Sequence, residues 1–506
     1  MLRSLAIDRK RSTKILSLAA PIMIAMLTQT FINVVDTIFV GKLDPSYSIP
    51  RQAALGFSLP IFWSIGGFLA AIGVGTQAMT ARRYGADKLE SAGTVLANGL
   101  AVTLMSTIVF TAAGWYAIPY FFGFLTSNDA VLALGIPYAQ VRVLGVLAMV
   151  GTTAYKGFFD GLGETRVHMY ACIVMNAFNV VLNYVLIFGV GPFPKLNVTG
   201  AAVASVISTF VGLSFMIGWS FRKEFLQRFK FYRLSNLRPR VMWDLTKLSL
   251  PSGAAQIFVM AGVLMFLKII ALLDEQAIRG VLEGTSFYGG EVTRNAATLH
   301  SAVTHTREFT GRILTVDWAN SLMWSRPPVY TTAAKLIIDL LSIGFVTCIA
   351  FGQATATLVS QSMGDDEYDL AEKYGWDSVK LGMYFFGAIG LTVVLFPEFF
   401  LDMLSDDPMV IEAAVPGLRI MASLEMFVAM ALILTQALFG AGDTKFVMYA
   451  ELLLHGFCLV PLAYLFSVVI DLGYLGVWLS ATFYVVGLGA IMAWKFWDGS
   501  WKEIEV

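Results

Sequence analysis

Long apolar runs separated by short polar turns divide this chain from end to end. A helix needs about 20 mostly apolar residues to cross the hydrocarbon core of a bilayer. Twelve segments meet that length: residues 15–42, 53–80, 92–122, 131–158, 168–190, 199–221, 246–273, 331–360, 377–402, 411–439, 446–470 and 475–496. Backbone groups in lipid must bond within their own helix or a closed barrel, and runs of this length select the helix. The expected fold class is an all-α polytopic membrane protein with twelve transmembrane helices, its partner the lipid bilayer.

Composition agrees with that reading. Apolar residues make up 57% of the chain and charged residues 14%, with a mean hydropathy of +0.70. Soluble domains carry roughly a quarter charged residues. The formal net charge is zero, so no nucleic acid partner is expected. Cys172, Cys348 and Cys458 all lie in apolar runs, which argues against a disulfide framework or a thiolate metal site. The apolar run behind the basic N-terminus is too long for a signal peptide and lacks a cleavage site, so it is expected to stay as the first span.

Orientation follows from Lys and Arg in the short connections. One set holds Arg3, Arg9, Lys10, Arg11, Lys14, Arg82, Arg83, Lys88, Arg166, the seven basic residues from Arg222 to Arg240, Lys373 and Lys445. The other short loops hold Lys42, Arg51 and Lys195. Both termini are therefore expected in the cytoplasm, in a multi-pass plasma (inner) membrane protein.

The chain also repeats itself. "GLGETRVHMYA" at Gly161–Ala171 returns as "GAGDTKFVMYA" at Gly440–Ala450, 279 residues later, with six of eleven positions identical. Pro137 and Pro416 share that offset, as do Gly85 and Gly364. Pro21 and Pro251 are 230 apart, so the second half carries about 49 extra residues near Glu275–Pro328. An even number of spans per repeat gives two parallel-related six-helix lobes around a central cavity. The expected divisions are an N-terminal lobe at 1–221, a cytoplasmic linker at 222–245, a C-terminal lobe at 246–496 and a tail at 497–506. Each repeated phrase falls on a turn between a half's fourth and fifth helices. Its glycine permits a tight turn, and the following Thr or Asp is placed to cap the next helix.

"GLGETR", "GAGDTK", "PIMIAMLTQTFINVVDTIFVGKL", "GVGTQAMTARRYGA", "FGQATATLVSQSMGDD" and "NVVLNYVLIFG" followed by "VTGAAVAS" together resemble signatures of the multidrug and toxic compound extrusion (MATE) transporters, of the multidrug/oligosaccharidyl-lipid/polysaccharide flippase superfamily. The resemblance covers the chain except the insertion. It implies export of amphipathic, often cationic, drugs or metabolites, driven by inward flow of Na+ or H+; no enzymatic activity and no other cofactor are expected. A single copy is expected to act alone.

Ionisable residues inside a membrane are costly and mark function by default. Gln29, Asn33 and Asp36 share one face of the first helix, and Asn176, Asn179 and Asn183 share one face of the fifth. A carboxylate with amide oxygens suits Na+, and a desolvated carboxylate suits H+. The resemblance maps Asp36 onto the first-helix acid of the family's N-terminal cation site, and Asn179 and Asn183 onto polar fifth-helix positions. Some members carry Asp where Asn183 stands, which leaves the ion open. The alternative is that Asp36 lies near the outer interface and merely hydrates. In the second lobe, Glu425, Glu451, His455 and Gln256 are candidates for coupling, with Glu451 and His455 spaced to pair; Gln256 stands where some members carry Glu. Lys335 and Asp339 are spaced to neutralise each other, and Arg142 and Arg419 are expected to support helix packing or their lobes' outer rims. Tyr138, Tyr155, Phe158, Phe258, Met260, Met426 and Met430 are candidate cavity residues, since soft thioethers and aromatics accept varied apolar ligands; helix packing is the competing use of each.

The insertion, with His300 and His305 five apart, has no metal-pair spacing and is expected to cap the outer exit. A lipid-linked sugar flippase is the alternative function. The chain lacks HExxH, GxSxG and a Walker lysine motif, which argues against a membrane enzyme or an ATP-driven pump.

Overall fold

The computed structural model describes the backbone of residues 8–41, 58, 62, 65–125, 129–283 and 329–505, with side chains for all of these except 31–38, 40, 41, 124, 125, 130 and 278–283. The N-terminal lobe contains α1 (Arg9–Gly41), α2 (Ile72–Gly85), α3 (Leu89–Leu125), α4 (Asp129–Leu144), α5 (Val146–Leu162), α6 (Arg166–Phe188) and α7 (Asn197–Ser220). The short α8 (Lys223–Phe229) lies in the linker. The C-terminal lobe contains α9 (Pro239–Glu283), α10 (Val329–Gly364), α11 (Tyr368–Leu395), α12 (Pro397–Asp402), α13 (Pro408–Ser423), α14 (Glu425–Ala441), α15 (Thr444–Leu453), α16 (Val460–Tyr464) and α17 (Gly473–Asp498).

Among the described residues ten helices are long and apolar enough to cross a membrane, and the α13–α14 pair, bent by 54°, makes an eleventh. The expected second span, 53–80, falls partly outside the described residues; α2 is its described end. The architecture is all-α, with two six-helix lobes. Several elements depart from the sequence reading. The span expected to end at residue 402 stops at Leu395, because Pro397 lacks an amide proton and opens α12 instead. The eleventh span is interrupted by π-helical turns at Leu454–Leu459 and Leu465–Val469. The seventh helix starts at Pro239, inside the expected linker.

The repeat is visible in the backbone. Gly163 and Gly442 both adopt left-handed φ, 85° and 95°, and close α5 and α14 by the same pair of amide bonds to carbonyls three and five residues back. The expected side-chain caps are absent: neither Thr165 nor Asp443 caps its helix, and Asp443 instead pairs with Lys495 at 3.2 Å. Gly145 and Leu424 interrupt the fourth helix of each half at matching positions. Pro21, Pro137, Pro251 and Pro416 all lie inside helices, where each removes one ladder bond.

The first helix of each half bridges the lobes. Ile15, Ala19 and Ile22 of α1 are buried in a core cluster with Phe351, Leu358 and Val359 of α10. Val241, Leu245 and Leu248 of α9 are buried with Ile72, Met79 and Val95 of the N-terminal lobe. Arg11 reinforces this exchange with a 2.5 Å bond to Asp377 on α11. The tail is also docked: Trp501 is fully buried, stacks on Phe496 and donates to its carbonyl at 2.7 Å.

Of the insertion, residues 275–283 continue α9, and the rest, including His300 and His305, lies outside the described residues. Its two ends are held together. Buried Asp274 accepts from the Tyr330 and Thr331 amides at 2.8 Å each, capping α10 across the insertion.

Candidate functional site: polar stripes and an inter-lobe seam

The structure packs α1 lengthwise against α6, the two helices that carry the polar stripes of the N-terminal lobe. On α6, Asn183 donates to Asn179 at 2.8 Å, and Asn179 donates to Ser205 of α7 at 3.4 Å. Asn179 and Asn183 are buried. Asn176 completes the stripe with a side-chain amide whose oxygen and nitrogen are both buried and bonded to no described residue. A buried amide left unbonded costs a few kcal/mol, so such a group is poised for a partner. Gln29 is half-buried on α1. The α1 backbone runs helically through residues 33 and 36, but the side chains of Asn33 and Asp36 lie outside the described residues. The amide oxygens of Asn176, Asn179 and Asn183 on α6 are hard-oxygen donors of the kind that suits a small cation.

The second lobe separates its candidates into two places. Glu425 is the first residue of α14, at the 54° bend, and only 5% exposed. Its Oε2 has no hydrogen-bond partner, and Gly344 of α10 and Gly390 of α11 give it room: a Cβ at either would crowd the carboxylate or its stem. Glu451 and His455 form a second cluster. His455 Nδ1 lies 3.2 Å from Glu451 Oε2, and the Tyr484 hydroxyl of α17 donates to that same oxygen at 3.2 Å. His455 sits in the first π turn, where the wider winding swings it against Gly262 of α9. Gln256 is exposed on α9. Lys335 and Asp339 are exposed, and no ion pair joins them at 4.0 Å. Arg142 stacks over Phe62 at 4.4 Å, in keeping with packing.

Three candidate cavity residues turn out to be lobe core. Phe158 is fully buried and meets Phe159, Phe229 and Phe231 edge-on. Tyr155 is held by a 2.6 Å hydroxyl contact with Tyr232, itself 2.6 Å from Ser220. Tyr138 packs with Ile187 and Val198. The linker aromatics Phe229 and Phe231 pack into the same core cluster as Tyr155 and Phe158. Phe258, Met260 and Met430 are half-buried, and Met426 is exposed.

The densest polar contacts join the two lobes at the end of the bundle that bears the short basic connections. There α2 crosses α10 so closely that a Cβ on Gly85 would overlap the Gln361 carbonyl oxygen, and a Cβ on Gly364 would overlap that of Arg82. These contacts exchange under the 279-residue repeat. So, within one residue, do the bonds beside them: Gln361 donates to the Gly161 carbonyl at 2.8 Å, and Arg82 to the Ala441 carbonyl at 3.2 Å. Arg82 also donates to the Ile504 carbonyl of the tail. Ser360 donates to the Ala78 carbonyl at 2.8 Å. Gln77 donates to the Gln353 carbonyl at 2.9 Å and to Thr357 Oγ1 at 2.8 Å. Lys156 and Asp160 of α5 belong to this seam, and sequence reasoning missed them. Their signal was present, since "AYKGFFDGLG" places a Lys and an Asp one turn apart inside a span.

Comparison with known proteins agrees with this architecture. A family model described as MatE matches residues 21–185 and 313–465. The probable multidrug resistance protein NorM of Thermotoga maritima is 22% identical over 497 residues, covering 97% of this chain and 93% of its own length. The FAD transporter of Shewanella oneidensis is 26% identical over 278 residues, covering 54% of this chain and 59% of its own length. The solved outward-facing structure of a multidrug resistance MATE family transporter of the MOP superfamily matches with a TM-score of 0.77 at 22% identity, covering 97% of this chain and 95% of that one. A MOP superfamily transporter from Pyrococcus furiosus matches with a TM-score of 0.75. With the family model matched over more than half its length and the same fold across nearly all of it, this chain belongs to the MatE family of membrane transporters.

Proposed function

We propose that the protein is a cation-coupled antiporter that exports small amphipathic, cationic compounds by alternating access. The observation that carries this reading is the closed seam. Two lobes related by a repeat meet at one end through a symmetric glycine crossing, a geometry that two rocking bodies can make and break. The polar stripe of the N-terminal lobe runs along α6, with both side-chain amide atoms of Asn176 buried and bonded to no described residue. On this reading the basic end is cytoplasmic, the termini with it, and the closed seam corresponds to an outward-facing state in the plasma (inner) membrane.

The coupling ion, Na+ or H+, binds Asp36 with support from Gln29, Asn33, Asn176, Asn179 and Asn183. Glu425 is the second-lobe counterpart, because it is a buried carboxyl at a bend. Glu451 and His455 form an auxiliary pair. Cation and substrate favour opposite-facing states, so each weakens the other's binding by the same free energy. A single chain is the working unit.

Efflux of ethidium from proteoliposomes tests this, under a sodium gradient and a proton gradient separately. Wild type is expected to respond to one of them, and Asp36→Asn to neither. Gradient-driven efflux retained in Asp36→Asn would overturn the coupling site. No efflux under either gradient would overturn the substrate class.

A further inference from the structure

The seam obeys the repeat in its backbone but not in its charges: Arg82 answers Gln361, and a buried ion pair at Lys156 and Asp160 answers no charge at all. Asp160 is completely buried, and its Oδ2 accepts from Lys156 Nζ at 2.7 Å. The same ammonium donates to Gln353 Oε1 of the other lobe at 2.8 Å. Thr357 of that lobe donates to the Asp160 carbonyl at 2.9 Å. The second half offers an internal control. At the matching positions, 279 residues on, Lys156 becomes Thr435, Asp160 becomes Phe439 and Gln77 becomes Ala356; 279 residues back, Gln353 becomes Val74 and Thr357 becomes Ala78. At these five positions the same backbone crossing is therefore built on the other side of the axis without a charge; the cation there is Arg82, in the place of Gln361.

A buried ion pair returns less than well-packed apolar side chains of equal volume. The fold does not require this one, and Asp160 keeps its second oxygen, Oδ1, buried and unbonded. Its cost has to be offset by something other than packing. We propose that Lys156 is a positioning residue of the transport cycle, whose ammonium ties the closed seam through Gln353 and is retained by Asp160 when the lobes part. The division of labour follows from the geometry. Gln353 is the partner that leaves with the other lobe. Asp160 is one turn away on the same helix and moves with Lys156. Opening then breaks a charge-assisted bond without stranding a charge, which keeps the step reversible. The proposal rests on the alternating-access reading for its role in transport.

Seam opening can be read without transport. In Ser360→Cys the reporter replaces a fully buried side chain that bonds across the seam. Maleimide labelling of the full chain in proteoliposomes, followed by peptide mass spectrometry, gives its rate. Native Cys348, buried in the core of the C-terminal lobe, reports general loosening in the same sample. Adding Gln353→Leu, which leaves the ion pair in place, is expected to raise labelling at position 360 roughly tenfold, the factor one charge-assisted hydrogen bond supplies. Lys156→Met should raise it at least as much, and Lys156→Arg should restore the parent rate. Cys348 should stay at its parent rate throughout. Labelling at position 360 unchanged in both Gln353→Leu and Lys156→Met, or rising in parallel with Cys348, would overturn the proposal. If position 360 responds as expected while no compound is exported by any variant, the export reading fails and the gate stands.

Discussion

The two lobes are nearly one backbone carrying two chemistries. Gly163 and Gly442 close the same helix with the same bonds, and Gly85 and Gly364 touch each other's lobes in the same way. Yet α6 presents an amide stripe, whereas the second lobe presents separate acids at Glu425 and Glu451. The fourth helix of the second half also bends by 54° at Leu424, where the first half passes Gly145 as a single span. The comparison teaches that positions fixed by backbone sterics resist divergence, while side chains that only need a partner drift. A carbonyl oxygen at a Cβ position admits glycine alone. A buried polar group admits many replacements, provided each finds a bond.

The largest effect should come from the shared geometry. Gly85→Val and Gly364→Val each drive a branched side chain into the opposing carbonyl, so each should abolish seam closure and efflux, and the two should match. Labelling at position 360 would be the measurement. Unequal effects would break the symmetry argument. Next comes Asp36→Asn, with efflux expected to fall at least tenfold, against a smaller loss for Glu425→Gln; flux assays under the coupling gradient rank the two lobes. A chain truncated after Gly499 loses the fully buried Trp501 and should destabilise the C-terminal lobe by about 3 kcal/mol, read as a lowered unfolding midpoint. Tyr484→Phe removes one 3.2 Å bond to Glu451 and should cost about 1 kcal/mol in the same assay. The smallest effect is expected at Thr435→Val. The Thr435 hydroxyl is buried without a hydrogen-bond partner, so removing it should be neutral or stabilise by up to about 1 kcal/mol. Destabilisation there would mean the apolar side of the seam is polar after all.

Much of this was legible beforehand because it rests on local rules. The spans follow from length and hydropathy. The paired Gly161, Gly163, Pro137 and Gly85 positions follow from backbone demands that a repeat must keep. The Glu451–His455 contact was readable from its one-turn spacing, and the structure gives it at 3.2 Å. Lys335 and Asp339 share that spacing without closing to ion-pair distance, since one-turn separation permits a contact but does not fix the rotamers that make it. Phe158 was a cavity candidate against the commoner use in helix packing, and Phe229 and Phe231, from a segment expected to be a plain linker, close over it as core.

By itself, then, the sequence determined a membrane chain of two like lobes, because apolar length and the steric needs of Gly and Pro act within a few residues of where they are written. Only the tertiary structure decided which lobe each helix serves and which charges meet. Ile15 of α1 packs among residues more than 300 positions away, and Lys156 finds Gln353 across 197. Such partners are chosen by how two bodies dock, and a buried charge declares its purpose only when the group it bonds can be seen to move away.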